Sequence, residues 1–233
     1  MSNELVVIHQ PDFIPYLGFF DRLQKADIYV VLDCVQYERR NKEAWNNRDR
    51  IKTANGVQWL SISTRKAPTD TMINEIIIAE ESKWRKKHIN IISMNYKKCP
   101  YYNEIMPYIE ELYEKPIEKL ADFNLESIKM LIKLFDINIR MIMGSDLKPE
   151  GNNNKLNVDI VKKLKCHRYL SGQGARDYHD QSYYDENGIE VVWQKFEHPI
   201  YPQPYGDFVP YLSSIDMLFN IGINESRKLI RSC

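Results

Sequence analysis

Apolar residues follow two rhythms along this chain. Short unbroken runs, Leu5-Val6-Val7-Ile8 and Ile28-Tyr29-Val30-Val31-Leu32, have the length of strands covered on both faces. The first gives way to Pro11 and the second ends at Asp33. Between them, residues 16–24 suit a short helix, so the opening stretch has the size, about 30 residues, of a βαβ unit with parallel strands. Residues 57–62 and 75–79 predict two more strands, and 139–143, 168–171 and 189–193 a further three.

The second rhythm is helical. Across residues 82–96, 103–113 and 117–135 apolar side chains recur every three or four positions, as at Ile117, Leu120, Ile128, Leu131 and Phe135. Pro100, Pro107 and Pro116 mark breaks or first turns around these helices. Residues 156–164, 174–180, 213–220 and 225–230 predict shorter ones. The pattern predicts a single α/β domain over residues 1–233, with a mostly parallel sheet flanked by helices and a helical section around residues 82–135 inserted between its parts.

Composition narrows the classes. Hydrophobic residues make up 43% and charged residues 27%, enough apolar material for a core. Lys plus Arg and Asp plus Glu are 32 each, so no net field draws the chain to nucleic acid. The opening Met1-Ser2-Asn3-Glu4 lacks a signal-peptide pattern, no apolar run approaches the ~18 residues of a membrane span, and a cytoplasmic location is expected. Cys34, Cys99, Cys166 and Cys233 are scattered without a CxxC pair, which predicts reduced thiols and no metal centre. The 15 tyrosines and 4 tryptophans, many beside polar residues, suit a core and a polar ligand site alike.

Four segments could carry chemistry. In parallel sheets ligands bind beyond the carboxyl ends of strands. His9, Gln10 and Asp12 follow the first strand, with Tyr16 and Gly18 at the next helix; the glycine would admit a phosphate or a neighbouring backbone. Asp33, Gln36 and Tyr37 follow the second strand, with Cys34 among them. The run Trp45-Asn46-Asn47-Arg48-Asp49-Arg50-Ile51-Lys52 then offers Asn47, Arg48 and Lys52 to a diphosphate. Arg39-Arg40 is a further cationic pair, equally suited to a solvated face. Ser171, Gly172 and Gly174 form a turn whose N–H groups could bind an anion, with Tyr178 beyond. His198, Tyr201 and Gln203 sit on a loop stiffened by Pro199 and Pro202, and Asp216 is another candidate carboxylate. Walker A, GxSxG, HExxH and full GxGxxG patterns are missing. Convergence of the four segments on one site is expected from their strand-end placement.

HQPDFIPYLGFFDRLQKADIYVVLDCVQY, WNNRDRIK, GVQWLSI, KWRKKHINIISMNYKKCPYY, YLSGQGARDY, HPIYPQ and LSSIDMLFNIG occur in this order between residue 8 and about residue 222. Together these blocks resemble the WbqC-like protein family. The resemblance implies a place in bacterial surface-polysaccharide (O-antigen) synthesis, beside enzymes that make nucleotide-linked amino sugars. It also implies a second aspartate after Asp33, where this chain has Cys34.

The leading expectation is an enzyme transferring an acyl or aminoacyl group, such as glycyl, to the amine of a nucleotide-linked amino sugar. His9 or His198 would take the proton, oriented by Asp33 or Asp12, while N–H groups near Gly172 and Gly174, or Gln10, would stabilise the oxyanion. The donor would be an acyl carrier protein thioester, coenzyme A or an activated acid made with ATP. An acidic carrier protein would suit the basic stretch 83–87. Two alternatives stay open. One is a nucleotidylyltransferase using ATP or CTP, although the stretch from Pro15 to Phe19 carries neither histidine of an HxGH motif. The other is a non-catalytic sugar-nucleotide-binding assembly protein.

Overall fold

The computed structural model describes residues 2–37 and 45–233. In chain order the elements are β1 (Ser2–His9), α1 (Leu17–Lys25), β2 (Ile28–Val31), β3 (Arg48–Thr53), β4 (Gly56–Ser61), α2 (Trp84–Tyr96), α3 (Tyr102–Glu114) and α4 (Leu120–Phe135). They continue with β5 (Arg140–Met143), α5 (Gly144–Leu147), α6 (Asn153–Lys163), β6 (Cys166–Ser171), α7 (Gln181–Glu186), β7 (Glu190–Trp193) and α8 (Ile215–Arg231). The chain divides into two compact units. The first holds Met1–Gln10, Asp21–Cys34 and Ile137–Glu197, and the second Pro11–Phe20, Val35–Asp136 and His198–Cys233.

The first unit is the α/β part: a five-stranded sheet in the order β5-β2-β1-β6-β7 with every neighbouring pair parallel. Burial explains which strands are central. Leu5 to Ile8 of β1 and all four residues of β2 are buried, as continuous apolar runs must be between covering layers. The outer strands β5 and β7 each begin with an exposed charged residue, Arg140 and Glu190, and are half-buried thereafter. Numbered by their own sequence, the five strands run 3-2-1-4-5 across the sheet, so the order reverses between β1 and β6. Register is set by Val6 against Ile28 on one side and Val7 against Leu170 on the other.

The second unit contains the helical section and the antiparallel hairpin β3–β4. Its core is aromatic: Trp84 meets Phe123 edge-on at 5.0 Å between ring centroids and Tyr113 at 5.4 Å, and Phe13 lies 5.7 Å from His88. Buried Asn124 donates to the carbonyls of Pro11 and Asn46, tying two loops to α4. Helix α8 breaks at Gly222, whose φ of +74° favours glycine and whose missing Cβ makes room for the Tyr101 ring at 2.5 Å.

Two expectations need correction. Residues 75–79 form no continuous strand: a 3₁₀ turn, Ile73–Glu75, precedes isolated bridges from Ile77 to Lys119 and from Ile78 to Thr64. Ile76 and Ile78 are buried as a strand pattern implies, but their neighbours are loops, so pairing never extends into a ladder. The predicted strand at 57–62 exists as β4, paired with β3 outside the parallel sheet.

Candidate functional site

In open parallel sheets ligands bind where the strand order reverses, so the β1–β6 boundary is the candidate ligand position of the first unit. Continuing the register from Val7 and Leu170 brings His9 and Gly172 side by side at the carboxyl ends of β1 and β6. Arg22, on α1, reaches this edge: one guanidinium nitrogen lies 3.0 Å from where a Cβ on Gly172 would stand. Any side chain at residue 172 would press on that guanidinium. Arg22 is 7% exposed and Ser171 1%, so the cation is held largely within protein.

Neighbouring side chains pin the edge. Asp21 accepts from the Gln194 amide at 2.7 Å and pairs with Lys25 at 2.6 Å. The Gln194 backbone N–H donates to the Ser171 carbonyl at 2.9 Å, and the Gln194 carbonyl accepts from the Gln173 side chain. Arg176 lies over the Trp193 ring at 4.5 Å. The loops after β6 and β7 are thereby tied to each other and to α1.

His9 is half-buried, with Nδ1 2.9 Å from the Gln10 carbonyl. That partner can only accept, so Nδ1 carries the proton and Nε2 the lone pair. Desolvation, followed by the positive charge of Arg22, pulls the His9 pKa down to about 3. The ring is neutral at neutral pH, and an anion beside Arg22 would reverse part of that shift.

Asp33, 3% exposed, accepts from the backbone N–H of Ser145 at 2.8 Å and from its hydroxyl at 2.7 Å. This is the geometry of a carboxylate fixing the start of α5. Burial and Asp33 raise the Cys34 thiol pKa, which works against a thiolate nucleophile. Gly174 has open space around it and Tyr178 is 65% exposed.

In the second unit the predicted residues fall into three groups. Lys52 is buried: Nζ donates to Gln203 Oε1 at 3.3 Å and to the Gly206 and Asp207 carbonyls. Beside it, Asp216 accepts from Tyr96 at 2.7 Å and from Tyr201 and Gln203 at 2.9 Å each. Lys52, Tyr201 and Gln203 therefore serve a closed internal network, and the diphosphate role expected for Lys52 finds no support in this geometry. The second group is the outer face of the hairpin. Arg48 stacks over Trp59 at 4.4 Å, Arg50 lies 5.2 Å from the Trp45 ring, and Trp59 is 40% exposed. The third is an aromatic nest in which His198 meets Tyr211 edge-on at 5.2 Å and donates from Nδ1 to the Pro199 carbonyl; burial lowers its pKa.

The remaining residues act locally. Asp12 accepts from Asn46 at 3.0 Å, Asn47 donates to the Ile62 carbonyl, Gln36 to the Thr69 carbonyl, and the Tyr37 backbone to Thr71. Asp49, inside the hairpin, has its pKa raised well above the usual carboxylate range by burial. The Tyr16 ring stands 2.5 Å from where a Cβ on Gly18 would be, so that glycine makes room for an aromatic ring where a phosphate was one expectation. Arg39 and Arg40 lie outside the described residues. Asp21, Arg22 and Gln194 were not among the predicted site residues, and only the register and the strand order single them out.

A five-stranded parallel sheet with this strand order, flanked by helices, defines an α/β protein. The chain belongs to the WbqC-like protein family, whose sequence model matches residues 10–228. It is similar to an uncharacterized protein, Rv1507c, of Mycobacterium tuberculosis, with 29% identity over 231 residues that make up 98% of each chain. No solved structure matches it. Among the described residues no helix is long and apolar enough to cross a membrane.

Proposed function

We propose that this chain is an enzyme of bacterial surface-polysaccharide synthesis that binds a nucleotide-linked amino sugar and transfers an acyl or aminoacyl group to its amine. The observation that carries the proposal is the reversal of strand order between β1 and β6, with His9, Arg22, Ser171 and Gly172 gathered at that edge. Arg22 is the cation for the diphosphate, and Ser171 with the N–H groups of the following turn supplies further donors. The sugar amine attacks the acyl carbonyl; a C–N bond forms, the bond to the leaving thiolate or phosphate breaks, and the amine proton passes to His9 Nε2. A base with a pKa of about 3 is weak, but the diphosphate offsets the charge of Arg22 and raises it.

The test is a thermal-shift panel of nucleotide-linked amino sugars, free nucleotides and coenzyme A, followed by mass spectrometry of the sugar with thioester donors. The expected result is stabilisation by an amino-sugar nucleotide that Arg22→Met abolishes, and turnover that His9→Gln abolishes while binding persists. The same strand order suits nucleotidylyl transfer, with the anion cradle taking the phosphates of ATP or CTP. Stabilisation by ATP or CTP alone would replace the first reading with that one. Silence across the panel would overturn both and favour a non-catalytic assembly role.

A further inference from the structure

Acidic and basic residues balance over the whole chain, 32 against 32, yet the 21 residues from Lys83 to Asn103 hold six cations and no carboxylate. Arg85 is accounted for: it pairs with Glu80 at 2.9 Å and donates to the Tyr113 and Ile117 carbonyls. The five lysines, Lys83, Lys86, Lys87, Lys97 and Lys98, are exposed. None of their side chains makes a hydrogen bond or ion pair among the described residues.

Helical geometry puts these lysines together. Trp84, His88, Ile92 and Tyr96 form the buried face of α2. At about 100° per residue, Lys86, Lys87, Asn90 and Met94 fall on the opposite face, with Lys83 and Lys97 at the two caps of the helix and Lys98 just beyond it. The stripe is roughly 20 Å long at about 1.5 Å per residue. Met94, 80% exposed, sits between the two lysine clusters.

The helix itself does not explain this charge. Cations stabilise the carboxyl end of a helix and destabilise its amino end. Lys97 and Lys98 fit that rule, but Lys83, Lys86 and Lys87 crowd the amino end, where the first turn has no acid. A charge that works against its own helix calls for a reason outside it.

We infer that this stripe docks an acidic, helical carrier domain that delivers the thioester-linked acyl or aminoacyl group. The inference rests on the group-transfer reading above for the identity of the cargo. Lysine ammonium groups at both ends complement a row of carboxylates, and Met94 supplies an adaptable apolar centre. A lipid surface fits less well, because a single exposed apolar side chain gives too little area to anchor in a bilayer. Single-stranded nucleic acid calls for aromatic platforms among the cations, and the α2 stripe has none.

The experiment titrates the full chain with pantetheinylated acyl carrier protein, an acidic helical probe, by fluorescence anisotropy at low and physiological salt. Lys86→Glu/Lys87→Glu is expected to weaken binding at least about tenfold. The same variant should melt no lower than the parent, because it removes cations from the amino end of α2. Met94→Ala is expected to weaken binding less. Equal binding by parent and double variant, or no binding by the parent, overturns the inference. So does charge-dependent binding to phosphatidylglycerol vesicles or to an oligothymidine in place of the carrier protein. The nucleotide-sugar thermal shift is read in parallel on both proteins. A retained shift without carrier binding sinks the docking surface alone, and carrier binding through the lysines without any shift sinks the substrate reading alone.

Discussion

Two polar regions of this molecule handle buried charge in opposite ways. Around Asp216 in the second unit, two tyrosines and an amide donate to one carboxylate, and Lys52 is held by carbonyls and Gln203. Around His9 in the first unit, a largely buried guanidinium lies against a glycine and near a histidine kept neutral by burial first and by that charge second. The first arrangement places acceptors around each cation and donors around each anion, which is how an interior stabilises polar groups. The second sets a cation near a group that burial, and then that cation, keeps from protonating, where the strand order of the sheet reverses. Ionisable residues were predicted to bind ligand in both places, and their surroundings set the internal network apart from the candidate site.

The comparison can be broken or sharpened by measurement. Asp216→Ala, which strips the common acceptor from three donors and leaves Lys52 buried, should lower the unfolding free energy by about 3–5 kcal/mol in urea titration. A loss comparable to that of an exposed substitution would mean the network is not closed. An acid titration should show the next effect. The unfolded chain protonates His88 near pH 6.5, whereas burial delays this to about 4 in the folded protein. Stability should therefore fall as pH drops through that window, by up to about 3 kcal/mol from this residue, and His88→Gln should flatten the slope.

Gly222→Ala should cost about 1–3 kcal/mol, because φ is positive and the Tyr101 ring fills the space. Arg22→Met should change stability least, by about 1 kcal/mol or less, yet raise the His9 pKa in an NMR titration by removing a neighbouring positive charge. An anionic ligand should raise the His9 pKa in the parent and leave His88 unchanged. If both histidines move together, the His9 shift does not come from an anion bound beside Arg22.

The sequence revealed much of the scaffold and only part of the site. Unbroken runs such as Leu5–Ile8 report burial on both faces, and regular spacing reports the helices, because both signals are local. His9 and Ser171 could be singled out since strand ends are favoured ligand positions. Arg22 could not, because within LGFFDRLQK it reads as an ordinary basic residue of an amphipathic helix. Its importance comes from Gly172, 150 residues later. The surroundings of Lys52 were hidden for the mirror-image reason: it lies beside Arg48 and Arg50 in sequence, but the loop that buries it arrives with Gln203 to Asp207. The hairpin strand β3 was hidden as well, because its Arg-Asp-Arg-Ile-Lys-Thr sequence lacks the apolar alternation of a half-buried strand.

The central position of β1 has a consequence for how the chain is made. Val7 leaves the ribosome 163 residues ahead of its partner Leu170. At about 5–20 residues per second, β1 waits roughly 8–30 s for β6, with only β2 available on its other edge. The edge that holds the candidate site needs both β1 and β6, and is thus completed only after β6 has been made. During that interval a buried-type strand has an open hydrogen-bonding side, which makes the nascent chain a natural client for chaperones.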